Sequence, residues 1–97
     1  MSAPATLAHV IIRGRVQGVG FRGWVEDEAR ISGLAGYVRN RRDGSVEAVF
    51  SGPQDSVEAM LVACWRGPVG SQVTGIDAVE DAVEPLSDSG FEVRGTR

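Results

Sequence analysis

The chain has 97 residues, of which 42% are apolar and 24% are charged, and its formal net charge is −3. This size and composition predict one folded domain with one core over residues 1–97, and they exclude a disordered polymer. The acidic balance argues against general binding to nucleic acid or to anionic membranes. All ten basic residues are arginine, and Arg13, Arg15 and Arg22 flank a glycine-rich run, which suits a small anionic ligand.

The sequence gives no sign of a membrane span, a metal site or a disulfide. No apolar run approaches the roughly 20 residues that cross a bilayer, and the N-terminus lacks the regions of a secretory signal. Cys64 is the single cysteine, and no group of cysteines and histidines could hold a metal ion. We therefore expect a cytoplasmic monomer without a metal or other cofactor, and we expect residues 1–6 to form a flexible N-terminal tail.

The spacing of apolar residues predicts seven elements in chain order. The Asp43-Gly44 pair is a strong hairpin signal, so the strands on either side of it should run antiparallel. Gly33 is typical of a helix C-terminus, and Pro53 of a first helical position. The predicted elements are a strand at 8–13, a helix at 21–32, strands at 36–40 and 45–50, a helix from Pro53 that stops at Gly67-Pro68, a strand within 72–79 with a bulge at Gly75, and a short strand at 91–94.

This order of elements predicts an α+β fold of the ferredoxin-like type, a split β-α-β-β-α-β sandwich. We expect an antiparallel sheet with two helices on one face and a short extra C-terminal strand. The second helix carries an apolar stripe at helical spacing, and we expect the side chains of this stripe to face the core. They are Val57, Met60, Leu61, Cys64 and Trp65. Cys64 and Met60 are therefore interpreted as core residues without a chemical role.

The most informative segment is the run from Gly14 to Arg22, which joins the first strand to the first helix. A glycine-rich turn of this kind can direct successive backbone N–H groups into one concavity, and the helix N-terminus adds partial positive charge. Arg22 is placed to add a guanidinium fork. The pattern predicts a small site for an anion, with phosphate as its natural occupant.

Three other motifs must be weighed against this segment. Residues 18–23 match G-x-G-x-x-G, but a dinucleotide-binding fold needs a parallel second strand and a carboxylate about 20 residues further on, whereas a hairpin follows here. A Walker A loop needs a lysine, and the chain has none. An RNA-recognition motif carries its aromatic and glycine signature on an internal strand, not at a strand-to-helix turn. None of the three fits.

Residues 14–22 (GRVQGVGFR), 36–40 (GYVRN) and 43–47 (DGSVE) closely resemble the acylphosphatase family. The resemblance implies the ferredoxin-like fold and hydrolysis of acyl phosphates to a carboxylate and inorganic phosphate, without metal or cofactor. It implies that the partners of the chain are a small acyl phosphate and inorganic phosphate. It places the catalytic arginine on Arg22 and the catalytic asparagine on Asn40. The backbone of the phosphate loop falls on Arg15, Val16, Gln17, Gly18, Val19 and Gly20.

The residue types also fit this chemistry independently of the family resemblance. The chain offers no Ser–His or Cys–His pair, and its one histidine, His9, precedes the loop. The substrate must therefore be reactive by itself, as an acyl phosphate is, because its carboxylate leaving group needs no general acid. Phosphoryl transfer then needs positioning and charge stabilisation, and the Asn40 amide can orient a water molecule.

Other interpretations stay open at the level of sequence. Arg22 could instead pair with Glu26 on the helix surface, and Asn40 could be an ordinary hairpin residue. A non-catalytic phosphate-binding or anion-binding regulatory module on the same fold is the main alternative, and an interaction domain that uses an open sheet face is another. Acetyl phosphate, carbamoyl phosphate and a phosphoglycerate acyl phosphate are all possible substrates.

Overall fold

The computed structural model describes residues 5–87 and 90–97, and every structural statement below concerns those residues. Seven elements follow the predicted order, with boundaries that differ from the predicted ones by a few residues. They are β1 (Thr6–Arg15), α1 (Phe21–Ile31), β2 (Ala35–Asn40), β3 (Val46–Gly52), α2 (Gln54–Arg66), β4 (Gln72–Ala78) and β5 (Phe91–Val93).

The five strands form one sheet in the order β4-β1-β3-β2-β5. β1 and β3 are the central antiparallel pair, and β2 joins β3 through the hairpin that Asp43-Gly44 predicts. The ferredoxin-like fold is thus confirmed, and β1, β2, β3 and β4 pair antiparallel as expected, whereas the short extra C-terminal strand does not. β5 runs parallel to β2, with Tyr37 opposite Glu92, because the chain crosses from β4 at one edge to β2 at the other before it pairs.

Both helices pack on one face of the sheet, as expected. Side chains alternate between the two faces of a strand, so Val10, Ile12, Ala48 and Phe50 share the face that meets the helices. The buried helix residues are Phe21, Val25, Ala29, Val57, Met60 and Cys64. Trp65 departs from the prediction, since its side chain is 52% exposed. One residue beyond Cys64 is a rotation of about 100° around the helix, which carries Trp65 to the edge of the stripe.

The other face of the sheet is covered by polar contacts with the acidic segment 79–87. His9, Arg39 and Glu47 are buried there together with Tyr37. Glu84 reaches back over the sheet, where it accepts hydrogen bonds from Arg39 at 2.8 and 2.9 Å. The face is therefore not open at these positions, which removes the support for an interaction domain that docks through it.

Two local expectations need correction. Thr6, which we expected in the tail, begins β1 and pairs with Gly52, while residues 1–4 lie outside the described part of the chain. The irregularity expected at Gly75 lies one residue earlier, because the register shifts between Arg13 and Gly14 of β1 and leaves Thr74 without a partner on that strand. None of the helices in the described ranges is long and apolar enough to cross a membrane.

Candidate functional site

A cleft of about 310 Å³ lies where the loop after β1 meets the end of β2. The structure brings Arg22 and Asn40 together there, with most of the predicted loop. Arg15 and Val19 do not line the cleft, since Arg15 ends β1 with an exposed side chain and Val19 packs against the core. The lining residues are Val16, Gln17, Gly18, Gly20, Phe21, Arg22, Gly23, Asn40 and Val93.

Gly18 and Gly20, which carry no side chains, line this cleft with the backbone of the loop between β1 and α1. Gly18 and Gly20 both have a φ of 75°, in the left-handed region that glycine adopts without strain. Among the loop and turn hydrogen bonds of the described chain, none uses an N–H of residues 17–20 as donor. A turn whose N–H groups are left over in this way is a typical anion-binding concavity.

The N-terminus of α1 opens into the same place. Gly20 is the N-cap residue, and no side chain in the described ranges caps the first turn of the helix. The first turn also contains no acidic residue. Because the first N–H groups of a helix lack intrahelical partners and carry partial positive charge, an anion in the cleft would satisfy them.

Among the described residues, Arg22 supplies the one charged side chain that lines the cleft. Within the described residues, its guanidinium makes no hydrogen bond or ion pair with the protein. The alternative partner, Glu26, instead pairs with Arg30 at 3.2 Å. The helix-surface salt bridge considered for Arg22 is therefore absent from the described structure, and the guanidinium is available to a ligand.

Asn40 ends β2 at the opposite wall of the cleft. Its Oδ1 atom is buried and has no hydrogen-bond partner among the described residues. The hairpin is held by other groups, since the Arg41 N–H donates to the Ser45 carbonyl at 2.8 Å and the Ser45 N–H donates to Asp43 Oδ1 at 2.9 Å. A buried, unpaired acceptor costs about 1–3 kcal/mol, so an amide oxygen left in this state beside a cleft is a functional candidate.

The Gln17 side chain connects the loop after β1 to the hairpin after β2, although β3 lies between these two strands in the sheet. The Gln17 side-chain Nε2 donates to the carbonyl oxygens of Arg41 and Ser45, both at 2.8 Å. These two bonds fasten the loop across the start of β3 to the hairpin that carries Asn40. The sequence prediction used Gln17 only for its backbone, because its partners lie 24 and 28 residues away and no local pattern reveals them.

A model of the acylphosphatase family matches residues 8–93 of the chain. The chain belongs to the acylphosphatase family. It is 53% identical to an acylphosphatase of Azorhizobium caulinodans, in a match that covers 91% of this chain and 94% of the relative.

Solved structures agree with this assignment. The crystal structure of an acylphosphatase from Bacillus subtilis is 37% identical, with a TM-score of 0.81, and the match covers 91% of this chain and 97% of that one. An acylphosphatase structure from Coxiella burnetii is also 37% identical, with a TM-score of 0.83 and coverage of 94% of each chain. The resemblance found in the sequence and the ferredoxin-like fold are both confirmed.

His9 of this acylphosphatase-family chain lies away from the cleft, in the buried network on the other face of the sheet. A hydrogen bond of 2.6 Å joins its Nε2 to Glu47 Oε2, and the Arg39 Nε donates to Glu47 Oε1 at 2.8 Å. Burial alone would raise the pKa of Glu47, but the hydrogen bonds from Arg39 and His9 outweigh it and hold that pKa below its usual value. The network fixes β1, β3 and β2 to one another directly beside Asn40.

Cys64, which the sequence predicts to be a core residue, lies on the buried face of α2. Burial raises the pKa of its thiol to about 12, so the thiolate form is scarce at neutral pH. Sequence reasoning missed Val93 as a lining residue, because it reaches the cleft only through the parallel pairing of β5 with β2.

Proposed function

We propose that the chain hydrolyses the carboxyl–phosphate bond of small acyl phosphates, giving a carboxylate and inorganic phosphate. The family to which it belongs supports this reaction class. One observation in the structure supports the mechanism. Among the described residues, the Arg22 guanidinium and the buried Oδ1 atom of Asn40 have no protein partner, and both residues line one cleft beside loop N–H groups that donate no loop or turn hydrogen bond.

The phosphoryl group is held, in this proposal, by the N–H groups of the loop and of the first turn of α1. Arg22 adds a planar pair of charged donors to the same oxygens. Gly18 and Gly20 allow the backbone conformation that this cradle needs. Since the cradle is built before the ligand arrives, it stabilises the charge of the transferring group without reorganisation in the transition state.

Asn40 orients the attacking water, which approaches phosphorus opposite the acyl oxygen. The water oxygen forms a bond to phosphorus while the bond between phosphorus and the acyl oxygen breaks. The electron pair of the broken bond stays on the acyl oxygen, which leaves as part of the carboxylate. A proton of the water passes to a phosphate oxygen. No protein base is required, and a carboxylate is weak enough as a base to leave without a general acid.

Every group in this scheme comes from one chain, so we propose that the protein works as a monomer on a small-molecule substrate. No described cluster of three or more histidine, cysteine, aspartate or glutamate residues is arranged as a metal site. Independence of metal is a prediction from the family resemblance, and the assay below tests it directly.

The test is release of inorganic phosphate from benzoyl phosphate in the presence of EDTA. We expect turnover by the wild type, a large loss in Arg22→Ala, and wild-type turnover in Arg66→Ala, which removes the same charge from the exposed end of α2. If the wild type does not turn over benzoyl phosphate but phosphate still raises its melting temperature, the proposed activity is wrong, and the chain is instead a regulatory phosphate-binding module. Turnover that disappears with EDTA would contradict the metal-free mechanism.

A further inference from the structure

Segment 94–97 follows β5 and runs beside the part of β2 that carries Asn40. The Arg97 N–H donates to the Asn40 carbonyl at 3.1 Å, and the Arg42 N–H donates to the Arg97 carbonyl at 3.2 Å. This pair of bonds continues the parallel pairing of β5 with β2. The backbone at Asn40 is therefore held by Val46 of β3 on one side and by Arg97 on the other.

One carboxylate contacts both this segment and β2. Glu84 Oε1 accepts a hydrogen bond from the Arg97 guanidinium, and Glu84 Oε2 lies 3.6 Å from Arg94 Nη1. Arg39 Nη1 donates to both oxygens of the same carboxylate, at 2.9 and 2.8 Å. Because Arg39 immediately precedes Asn40, Glu84 joins the strand that carries Asn40 to the segment that runs beside it.

The three arginines differ in the partners that they would keep without Glu84. Arg39 and Arg94 each donate to a second carboxylate, whereas Arg97 pairs with no other carboxylate among the described residues. The hydrogen bonds from Arg39, together with the charges of the other two arginines, hold the pKa of Glu84 below its usual value. Glu84 is therefore charged at neutral pH, and its charge offsets the repulsion among three guanidinium groups that lie close together.

We propose that Glu84 positions Asn40 for the reaction by fixing segment 94–97 against β2. This inference rests on the proposed function. No hydrogen bond within the described part of the chain fixes the Asn40 Oδ1 atom, so the direction of its amide depends on the backbone of β2. The described contacts of Glu84 do not include the loop after β1 or Arg22. Glu84 should therefore affect the orientation of water and leave phosphate binding unchanged.

The test measures kcat for benzoyl phosphate and the rise in melting temperature caused by inorganic phosphate, with kinetics run well below the unfolding of every variant. Glu84→Gln keeps the shape of the side chain and removes its charge. We expect its kcat to fall about tenfold, less than the roughly 10²-fold that a misplacement of about 1 Å can cost. Phosphate should raise its melting temperature as much as that of the wild type.

The exposed partner Arg97 gives a second set of variants. Arg97→Ala should lower kcat in the same direction, and Arg97→Lys, which keeps the cation, should retain more of it. The double variant Glu84→Gln/Arg97→Ala should lose no more kcat than Glu84→Gln alone, because both changes break one contact. Asp77→Asn is the matched control. It removes one carboxylate charge and a 2.8 Å bond to Arg13 at the opposite edge of the sheet, and it should leave both measurements at their wild-type values.

The outcomes separate this inference from the function on which it rests. If the wild type hydrolyses benzoyl phosphate and Glu84→Gln behaves like Asp77→Asn, the inference is wrong and the proposed function stands. The inference is also wrong if Glu84→Gln loses kcat and phosphate stabilisation equally, because the whole site is then disturbed. If Glu84→Gln does not fold, wild-type kcat in Arg97→Ala overturns the inference. If the wild type hydrolyses no benzoyl phosphate, the proposed function fails, and the inference fails with it.

Discussion

Replacing Gln17 with alanine tests how the two halves of the site are held together. The change removes two hydrogen bonds of 2.8 Å, to the carbonyl oxygens of Arg41 and Ser45. Both carbonyls keep another partner, since the Gly44 N–H donates to Arg41 and the Arg41 N–H donates to Ser45. No buried acceptor is therefore orphaned, and the loss is the net value of two neutral hydrogen bonds, about 2 kcal/mol at roughly 1 kcal/mol each.

For a domain of this size, a loss of about 2 kcal/mol lowers the melting temperature by about 8–16 °C. We expect kcat for benzoyl phosphate to fall as well, because the loop and Asn40 lose their fixed separation and a misplacement of about 1 Å can cost about 10²-fold. Thermal unfolding and steady-state kinetics on the same preparations measure both effects.

Gln54→Ala is the matched control, since Gln54 makes one exposed hydrogen bond to Glu58 at 3.0 Å on α2. It should change stability by no more than about 0.5 kcal/mol and leave turnover intact. If Gln17→Ala behaves like Gln54→Ala in both assays, the two hydrogen bonds of Gln17 neither stabilise the fold nor position the site. A loss of stability without any loss of kcat would show that the two bonds support the fold and do not position the site.

Three further predictions concern charge, pH and the thiol. Arg22→Lys should lower kcat/KM by about 10²–10³-fold, because an ammonium cannot reproduce the guanidinium fork, and a change of less than fivefold would contradict that role. The lowered pKa of Glu47 adds stability that is present above its ordinary pKa of 4.5 and is lost as the pH falls below it. The melting temperature should therefore drop in acid, and should do so less steeply in Glu47→Gln; equal slopes would refute the linkage. Cys64 should resist alkylation at pH 8 in the native protein and react after denaturation, and rapid native labelling would contradict its burial.

The strands and helices could be predicted from the sequence because their signals are local. Asp43-Gly44 determines a hairpin within a few residues, and Gly33 ends α1 by accepting a φ of 70° while its N–H bonds to the Arg30 carbonyl. The direction of β5 could not be predicted in this way. It depends on the long segment after β4 and on which edge of the sheet is free, and the residues of β5 itself indicate neither.

The site was partly predictable for the same reason. Arg22 follows the glycine-rich loop directly, so its position at the helix start is a local matter. The position of Asn40 opposite Arg22 depends on the sheet order and on the Gln17 side chain, which are long-range features. The network of His9, Glu47 and Arg39 was missed because its members come from three strands and only the folded sheet brings them together.

The most direct test of the central claim is a paired measurement on Asn40→Ala. In the proposed mechanism the loop and Arg22 bind phosphate, and Asn40 orients the attacking water. We therefore expect kcat for benzoyl phosphate to fall by about 10²–10³-fold, while inorganic phosphate raises the melting temperature of the variant as much as that of the wild type. Undiminished kcat, or equal losses of turnover and of phosphate stabilisation, would contradict this division of roles.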